Sequence, residues 1–347
     1  MASIRVLLVE DSNFMRMVLT DILNAFPDIE VIDTAENGKE AHEKTLSLSP
    51  DVVLLDLIMK DFDGMYAIKN IIQDKPTPIV VLSSIRDTEP GAVIDALQAG
   101  AYDFLDKPSG LIGSKIRNLD HIIHTKIIEA SKVDRKSLKA KKKTTNNHQH
   151  TFEDSINYKI VAIGASTGGT GAIEHILVNL PKNFPIPIVI AQHMPKEFIE
   201  SFALRLADLV SIPVKVAENE EVIRNGIVYL MPGNTNTKLS KRSNNDLVCF
   251  EFTDTQYEEY NHPSVDCMIE SVAQVYGNKS FAIILTGMGK DGTLGMKQIF
   301  KSGGYTAAQD EKSSIVWGMP KAAYDTGSVR TLLPLYDIPA FIVSAIS

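Results

Sequence analysis

The chain has 347 residues, 44% of them hydrophobic, with a formal net charge of −8 and a pI near 5.5. This length suits two domains with ordinary cores, and the acidic balance argues against a protein that mainly holds nucleic acid or an anionic membrane. Two cysteines are too few for a disulfide framework, no signal-peptide pattern opens the chain, and no apolar stretch approaches the roughly 20 residues that span a bilayer. We therefore expect a soluble, cytoplasmic protein.

Five short apolar runs alternate with helical patterns in the first third of the chain. Between them, stretches such as FMRMVLTDILNAF place apolar residues three and four apart, which is typical of amphipathic helices. Strands dense in Val, Ile and Leu that alternate with helices predict an α/β fold, with a parallel sheet covered on both faces. The runs are IRVLLVE, IEVIDTA, DVVLLDL, PIVVLSS and YDFLDKP.

Polar groups follow four of these predicted strands, where functional side chains of a parallel sheet gather. They are Glu10 and Asp11, Asp56, Ser83, and Lys107. Carboxylates on one edge repel one another unless a cation lies among them, and oxygen ligands with room for water suit Mg²⁺. A lysine and a hydroxyl beside them suit a phosphoryl group. One such residue alone would be an ordinary solvent-facing strand end, whereas matching groups at four ends favour a site.

This arrangement resembles the receiver domain of two-component response regulators over about residues 3–125, through VLLVEDS, LLDLIMKDFDG, LSS and FLDKP. The resemblance implies a flavodoxin-like fold in which Asp56 is phosphorylated by a chemotaxis histidine kinase. It also implies a Mg²⁺ site at Glu10, Asp11 and Asp56, and the switch residues Ser83, Phe104 and Lys107. Lys60 departs from the family pattern, which usually has proline there, so we expect a more mobile loop after Asp56.

The composition changes sharply after this first domain. Within residues 126–156, the stretch SKVDRKSLKAKKKTTNNHQHTFEDS is polar, rich in Lys, Asn and His, and almost without aliphatic side chains. Such a segment cannot bury enough surface to offset the entropy of ordering, so we predict a flexible linker. The run Lys141–Lys143 and the histidines His148 and His150 are interpreted as solvated residues, the histidines in preference to a metal site.

Residues 157–347 repeat the alternation of strands and helices and predict a second doubly wound parallel sheet. The predicted strands lie in KIVAIGA, IPIVIAQ, PVKVAE, GIVYLMP and FAIILTG, and LVCFEF is interpreted as an added antiparallel segment. The predicted architecture is thus two α/β domains, 1–125 and 157–347, joined by the linker.

The stretch AIGASTGGTG, residues 162–171, contains G-x-S-x-G between a predicted strand and a predicted helix. A phosphate-binding loop would need a lysine after its last glycine, and a dinucleotide fingerprint would need G-x-G-x-x-G; neither is present. Anion binding by the helix N-terminus stays open. On this stretch alone, a nucleophilic Ser166 and a plain tight turn are equally favoured.

A serine nucleophile needs a base, and the base needs an orienting group. His193 follows the strand of IPIVIAQ, and Asp291 follows the strand of FAIILTG between glycines. In a parallel sheet these strand ends share one edge with Ser166, so the three side chains are in reachable positions. The chain order Ser–His–Asp differs from that of α/β-hydrolases and of both serine protease classes, which weakens an analogy with the α/β-hydrolase elbow but not the triad itself.

Two other histidines compete for the role of the base. His175 lies within the helix after Ser166 and is expected to point away from the strand edge. His262, in YNHPSVD, is the more serious competitor, although PSVD looks mainly like a helix start with Ser264 as its cap.

Residues 157–347 also resemble the catalytic domain of chemotaxis protein-glutamate methylesterases, through IGASTGG, QHMP, PSVD and LTGMGKDG. The resemblance implies a Rossmann-like fold and a triad of Ser166, His193 and Asp291, with Thr167 and Met288 near the oxyanion and the histidine. The implied enzyme is a carboxylic ester hydrolase that releases methanol from glutamyl 5-O-methyl esters of chemoreceptors and deamidates glutamine in them.

Such an enzyme needs no cofactor for ester hydrolysis and reaches the membrane only through receptors. The flexible tether suggests that the unphosphorylated receiver domain inhibits it by covering the catalytic edge until Asp56 is phosphorylated. The acidic charge argues against nucleic-acid binding, and we expect a monomer. Three rivals remain at this stage. The first is a receiver-controlled module that binds an anionic ligand or partner without catalysis. The second is a DNA-binding output domain, which is weaker because the sequence shows no basic helix-turn-helix pattern. The third is an esterase that acts on a methyl ester outside chemotaxis.

Overall fold

The computed structural model describes residues 3–84, 88–107, 114–133, 135, 158–242, 246–257 and 262–346. Its backbone contacts divide the chain into two compact units, Met1–Lys142 and Lys143–Ser347. Across these described residues, every helix is too short or too polar to cross a membrane.

The N-terminal unit contains a parallel sheet built from the five predicted apolar runs. Its strands are β1 (Ile4–Val9), β2 (Ile29–Ala35), β3 (Val52–Asp56), β4 (Ile79–Ser83) and β5 (Asp103–Asp106). The spatial order is β2-β1-β3-β4-β5, with parallel pairing throughout, which is the doubly wound order of flavodoxin-like folds. Every residue of β3 and β4 is buried, which explains why their sequences are uninterrupted apolar runs rather than alternating ones.

One helix follows each of these strands. The helices are α1 (Asn13–Asn24), α2 (Gly38–Leu48), α3 (Gly64–Asp74), α4 (Pro90–Ala99) and α5 (Ser114–Ser131). The side chains of Ser12, Asn37 and Asp63 cap α1, α2 and α3 by accepting backbone N–H groups of the first turn.

Helix α5 continues six residues past the expected domain boundary at 125. Ile127 and Ala130 are fully buried, and Lys126 forms an ion pair with Asp103 at the start of β5. The first residues of the segment expected to be a linker are therefore helical and packed, because apolar residues at helical spacing continue to Ala130. Most of that segment, with Lys141–Lys143, His148 and His150, lies outside the described residues.

The C-terminal unit contains a second parallel sheet and an antiparallel pair. The sheet strands are β6 (Ile160–Ala165), β7 (Ile188–Gln192), β8 (Val214–Val216), β9 (Val228–Leu230), β12 (Ser280–Ile284), β13 (Tyr305–Gln309) and β14 (Thr331–Leu333). Their order is β14-β13-β12-β6-β7-β9-β8. The predicted antiparallel segment is confirmed as β11 (Val248–Thr253), which pairs with β10 (Asn236–Lys241).

The helices of this unit are α6 (Gly169–Val178), α7 (Lys196–Leu209), α8 (Val265–Tyr276), α9 (Thr293–Lys301), α10 (Met319–Asp325) and α11 (Ile338–Ile346). Strand β6 lies in the middle of the sheet, with β7 on one side and β12 on the other. From β6 the chain forms β7, β8 and β9 on one side of the sheet. It then returns to the other side of β6 to form β12, β13 and β14. Such a switch in direction opens a crevice at the carboxyl ends of the central strands.

Candidate active site

The three candidate residues of the C-terminal unit lie beyond the carboxyl ends of the central strands β6, β7 and β12. Ser166 and His193 directly follow Ala165 and Gln192, which are paired in register, and the His193 N–H donates to Ala165 O at 3.0 Å. His193 Nε2 lies 2.8 Å from Asp291 Oδ2. The structure therefore brings the predicted base into contact with the predicted orienting group, beside the residue that follows β6.

The turn that carries Ser166 is tight and is held from the β12 side. The Ser166 N–H donates to Thr286 O at 3.1 Å, and the Gly169 N–H donates back to Ser166 O at 2.7 Å. Gly168 has φ +76°, a left-handed conformation that favours glycine, and it caps α6. Gly168 thus serves the backbone of the turn, which leaves the hydroxyl of Ser166 as the candidate nucleophile.

Thr286, two residues beyond the end of β12, supports this turn through hydrogen bonds, a role that the sequence did not reveal. It is almost fully buried, and its hydroxyl donates to Thr167 O at 3.0 Å and accepts the Val316 N–H at 2.9 Å. Its own N–H donates to Gln309 Oε1 at 2.9 Å. The only signal in the sequence was a polar residue at the end of an apolar run, which does not reveal contacts 20 to 120 residues away.

Asp291 is 1% exposed, and donors surround its carboxylate. The first N–H groups of helix α8, those of Val265 and Asp266, donate to it at 2.8 Å each, and the Gly292 N–H donates at 2.9 Å. The Ser264 hydroxyl lies 3.2 Å from Oδ1 and also accepts the Cys267 N–H as the cap of α8. The segment PSVD therefore caps a helix, as its pattern indicated, and in addition holds the carboxylate.

These donors keep Asp291 ionised. Burial by itself raises the pKa of this carboxyl, but the hydrogen bond and charge of His193 and the backbone N–H groups of α8 bring the pKa below its ordinary value. The positive end of the α8 dipole favours the same anionic form. A negative Asp291 that accepts from Nε2 leaves Nδ1 of His193 as the nitrogen available to receive a proton.

The two competing histidines are not in this position. His175 lies in α6, its ring edge-on to Tyr336 at 5.1 Å, and burial lowers its pKa. His262 is exposed, and its Nδ1 lies 3.2 Å from Asn236 Oδ1. That amide oxygen also accepts the Ser264 N–H, so His262 contacts a group that supports the start of α8.

Thr167 and Met288 flank the Ser166 turn. Thr167 is buried, and its carbonyl oxygen accepts the Thr286 hydroxyl. Met288 is half-buried and follows Gly287, whose N–H donates to Val316 O at 3.0 Å. Within the part of the chain that the structure describes, the Met288 N–H donates to no protein acceptor, which leaves it available at the edge of the site.

The N-terminal unit gathers its own polar cluster at the carboxyl ends of β1, β3 and β5. Carboxylate oxygens of Glu10, Asp11 and Asp56 lie within 4.8 Å of one another. Lys107 Nζ donates to Glu10 Oε2 at 2.7 Å and to Asp56 Oδ2 at 2.6 Å. Burial raises the pKa values of Glu10 and Asp56, although Lys107 acts in the opposite direction. Burial lowers the pKa of Lys107, but the two carboxylates outweigh it and the pKa is raised.

This donor set fits a magnesium ion, because it offers carboxylate oxygens from two neighbouring strands at one edge. Lys60 adds a contact: its backbone N–H donates to Asp11 Oδ2 at 3.4 Å, a bond that a proline at this position could not make. The departure from the family pattern therefore supplies a donor to the acidic cluster.

The predicted switch residues flank the same edge. Ser83, the last residue of β4, is fully buried, and among the described residues its hydroxyl has no hydrogen-bond partner. Phe104 lies in β5 and is half-buried. A buried hydroxyl without a partner costs free energy and calls for an explanation.

Comparison with known proteins links each unit to a family. Residues 161–342 match the family described as CheB methylesterase, and residues 6–113 match the response regulator receiver domain. A protein of Thermotoga maritima named protein-glutamate methylesterase/protein-glutamine glutaminase is 39% identical over 343 residues, which are 99% of this chain and 98% of that protein. One of Carboxydothermus hydrogenoformans, with the same name and the number 2, is 40% identical over the whole of both chains.

A solved structure resembles the C-terminal unit. The CheB methylesterase catalytic domain of Thermotoga maritima is 41% identical, with a TM-score of 0.52, and the match covers 54% of this chain and 97% of that domain. The predicted α/β architecture of the catalytic part is thereby confirmed.

Proposed function

Because the chain belongs to the CheB methylesterase family and carries a response regulator receiver domain, we propose that it hydrolyses glutamyl 5-O-methyl esters of chemoreceptors and releases methanol. The observation that carries this proposal is the contact between His193 and Asp291 at the strand edge that also presents Ser166. The enzyme is then a carboxylic ester hydrolase whose nucleophile, base and orienting group are these three residues.

In the first half of the reaction, Ser166 Oγ attacks the ester carbonyl carbon and its proton passes to His193 Nδ1. Asp291, bonded to Nε2, fixes the tautomer of the neutral imidazole and stabilises the imidazolium that forms. The C–O bond to the methoxy group breaks, and methanol leaves with the proton from His193. In the second half, water attacks the acyl-enzyme, gives a proton to His193, and releases the glutamate side chain while Ser166 regains its proton.

Backbone N–H groups would stabilise the oxyanion of each tetrahedral intermediate. Those of Ser166 and Gly169 already donate within the turn, to Thr286 O and Ser166 O, so they are not the donors. The Met288 N–H and the N–H groups that follow Gly169 in the first turn of helix α6 are the groups that fit this role, and donors of this kind are each worth roughly 10²–10³-fold in rate. The same site would deamidate a glutamine side chain, with ammonia leaving in place of methanol.

We propose that Asp56 accepts a phosphoryl group from a chemotaxis histidine kinase. Glu10, Asp11 and Asp56 would hold the Mg²⁺ ion, which neutralises charge on the phosphoryl group when bound. Lys107 would contact the phosphoryl oxygens, and the buried hydroxyl of Ser83 would gain in them the partner it lacks. The unphosphorylated receiver domain, which includes α5 to Ser131, inhibits the esterase domain of residues 157–347, and phosphorylation relieves that inhibition.

The experiment that tests this function measures methanol released from methylated receptor membranes, with and without a small phosphodonor and Mg²⁺. We expect release by the full chain, an increase with the phosphodonor, and no release by Ser166→Ala, in which Asp56 is still phosphorylated. Binding of receptor without methanol would identify a non-catalytic module. Release only from a methylated protein unrelated to chemoreceptors would keep the enzyme and change its substrate.

A further inference from the structure

A buried glutamine lies between the two segments that carry the proposed nucleophile and base. Gln192 is the last residue of β7 and is 3% exposed. Glutamine side chains are mostly exposed in proteins, because a buried amide loses water and must find partners inside. The contacts of this amide therefore call for a structural or functional reason.

The amide nitrogen of Gln192 bridges two backbone carbonyl oxygens. Its Nε2 donates to Ser166 O at 3.0 Å and to His193 O at 3.2 Å. Strands β6 and β7 end at Ala165 and Gln192, and the His193 N–H still donates to Ala165 O at 3.0 Å. The side chain of Gln192 thus joins the segment of His193 to Ser166, one residue beyond this backbone bond.

The Ser166 carbonyl that receives this bond also closes the nucleophile turn. It accepts the Gly169 N–H at 2.7 Å as well, so a single oxygen joins the turn, helix α6 and the end of β7. Loss of the Gln192 bond would leave Ser166 held to β12 through Thr286, and the segment of His193 would be joined only to the preceding residue, Ala165, through the His193 N–H among the described contacts.

The other end of the amide lies at the start of helix α6. Gln192 Oε1 is buried and, among the described residues, has no hydrogen-bond partner. It lies against Gly169, the first residue of α6, where an added Cβ would come within 2.1 Å of it. The partial positive charge of a helix N-terminus favours an oxygen there, which agrees with Nε2 facing the two carbonyl groups. Glycine at position 169 is what makes room for the amide.

We propose that Gln192 is a positioning residue for ester hydrolysis, which sets the separation and orientation of Ser166 and His193 by bridging their carbonyl oxygens. The proposal rests on the proposed function, since it concerns the same nucleophile and base. Misplacement of reacting groups by about 1 Å costs on the order of 10²-fold in rate. Because the amide of Gln192 is buried, we expect its replacement to lower the rate of the chemical step and to leave the protein surface that binds the receptor unchanged.

The test compares three variants of the full chain in methanol release from methylated receptor membranes. Gln192→Leu keeps the approximate volume and loses both hydrogen bonds, and we expect kcat to fall by about 10–100-fold with KM within about twofold. Ser271→Ala is the matched control for stability, because Ser271 is buried and its hydroxyl also bridges two backbone groups, Leu239 N and Met268 O, outside the proposed triad. Its kcat is expected within twofold of wild type.

Gln192→Glu supplies a readout that a merely structural role would not move. A protonated carboxyl can donate to one carbonyl oxygen, whereas the carboxylate would face both oxygens with negative charge, and burial raises the pKa of such a group. We expect the ratio of wild-type kcat to Gln192→Glu kcat to rise with pH, and the ratio for Gln192→Leu to stay constant.

Three results would overturn the positioning role in an active wild-type enzyme. They are a Gln192→Leu kcat within twofold of wild type, an equal loss in Ser271→Ala, and a pH-independent ratio for Gln192→Glu. Absence of methanol release by the wild-type chain would instead contradict the proposed function, and the positioning role with it.

Discussion

Asp291 illustrates how a buried charge is stabilised at the scale of single residues. A carboxylate at 1% exposure loses most of its hydration, which costs several kcal/mol unless other groups replace the water. Here the N–H groups of Val265, Asp266 and Gly292 replace it, and His193 completes the shell. The pKa of Asp291 is thereby held below the ordinary value, so the residue is an anion against Nε2 of the imidazole at neutral pH, which is the property an orienting group needs.

Replacing this anion tests its role. Asp291→Asn removes the charge and allows the wrong imidazole tautomer, so we expect kcat for methanol release to fall by roughly 10³–10⁴-fold. Asp246→Asn, at an exposed position of the same unit, is the control and is expected to match wild type. A loss of less than tenfold in Asp291→Asn would remove Asp291 from the proposed triad.

The sequence predicts single residues well where local signals suffice. Ser166, His193 and Asp56 each follow an apolar run, and strand ends of a parallel sheet meet at one edge, so their candidate roles follow from the pattern. The supporting contacts of Gln192 and Thr286 could not be predicted, because their partners lie on other strands and are defined only by register and side-chain direction.

At the scale of elements, the helix pair α8 and α9 frames the orienting group. Helix α8 presents its first N–H groups to Asp291, while the Asp266 carboxylate accepts the Gly295 N–H of α9 at 2.8 Å. A Cβ at Gly295 would lie 2.6 Å from Ile269 Cβ, so glycine permits this close packing of the two helices. Burial, with the nearby charge of Asp291, raises the pKa of Asp266 to about 7.

This raised pKa predicts how stability depends on pH. In the unfolded chain the pKa of an Asp is near 3.9, whereas that of folded Asp266 is about 7. The folded state therefore binds this proton more tightly, and the resulting contribution to the free energy of unfolding is fully present below about pH 4 and is lost as pH rises through about 7. Asp266→Asn stays neutral and avoids this loss. We expect the variant to exceed wild type by roughly 1–4 kcal/mol in unfolding free energy at pH 8, and the difference to shrink toward pH 4.

Urea unfolding followed by fluorescence measures this effect in the full chain, because Trp317 is its single tryptophan and lies in the C-terminal unit. Asp246→Asn, at an exposed position outside the helices, is the control without pH-dependent gain. An unfolding free energy of wild type that increasingly exceeds that of Asp266→Asn from pH 4 to pH 8 would contradict the sign of the prediction.

The elements that sequence patterns predict are those with strong apolar runs. Strands β6, β7, β8, β9 and β12 lie in the predicted runs. Strands β13, β14 and β10 were missed. YTAAQ and NTKLSK mix small and polar residues, and TLL is only three residues long, so pairing with neighbouring strands rather than local propensity defines these elements.

At the scale of the whole molecule, each unit contributes a separate chemistry. The acidic cluster of Glu10, Asp11 and Asp56 suits phosphoryl transfer, while Ser166 and its partners suit ester hydrolysis. The sequence predicts this division because the two sets of strand-end residues lie on either side of the polar segment.

Removing the receiver tests phosphorylation control. A chain that begins at Asn157 is expected to hydrolyse receptor methyl esters faster than the unphosphorylated full chain and to ignore both the phosphodonor and chelation of Mg²⁺. In the full chain, chelation should abolish stimulation by the phosphodonor and leave basal hydrolysis intact, since the esterase residues hold no metal in the proposed reaction. A truncated chain no more active than the unphosphorylated full chain would contradict inhibition by the receiver.

The most direct measurement of the central claim is methanol release from methylated chemoreceptor membranes by wild type and by Ser166→Ala. The account predicts release by wild type, none above background by Ser166→Ala, and equal phosphorylation of Asp56 in both proteins. Methanol release that persists in Ser166→Ala would contradict the assignment of Ser166 as the nucleophile and, with it, the proposed triad.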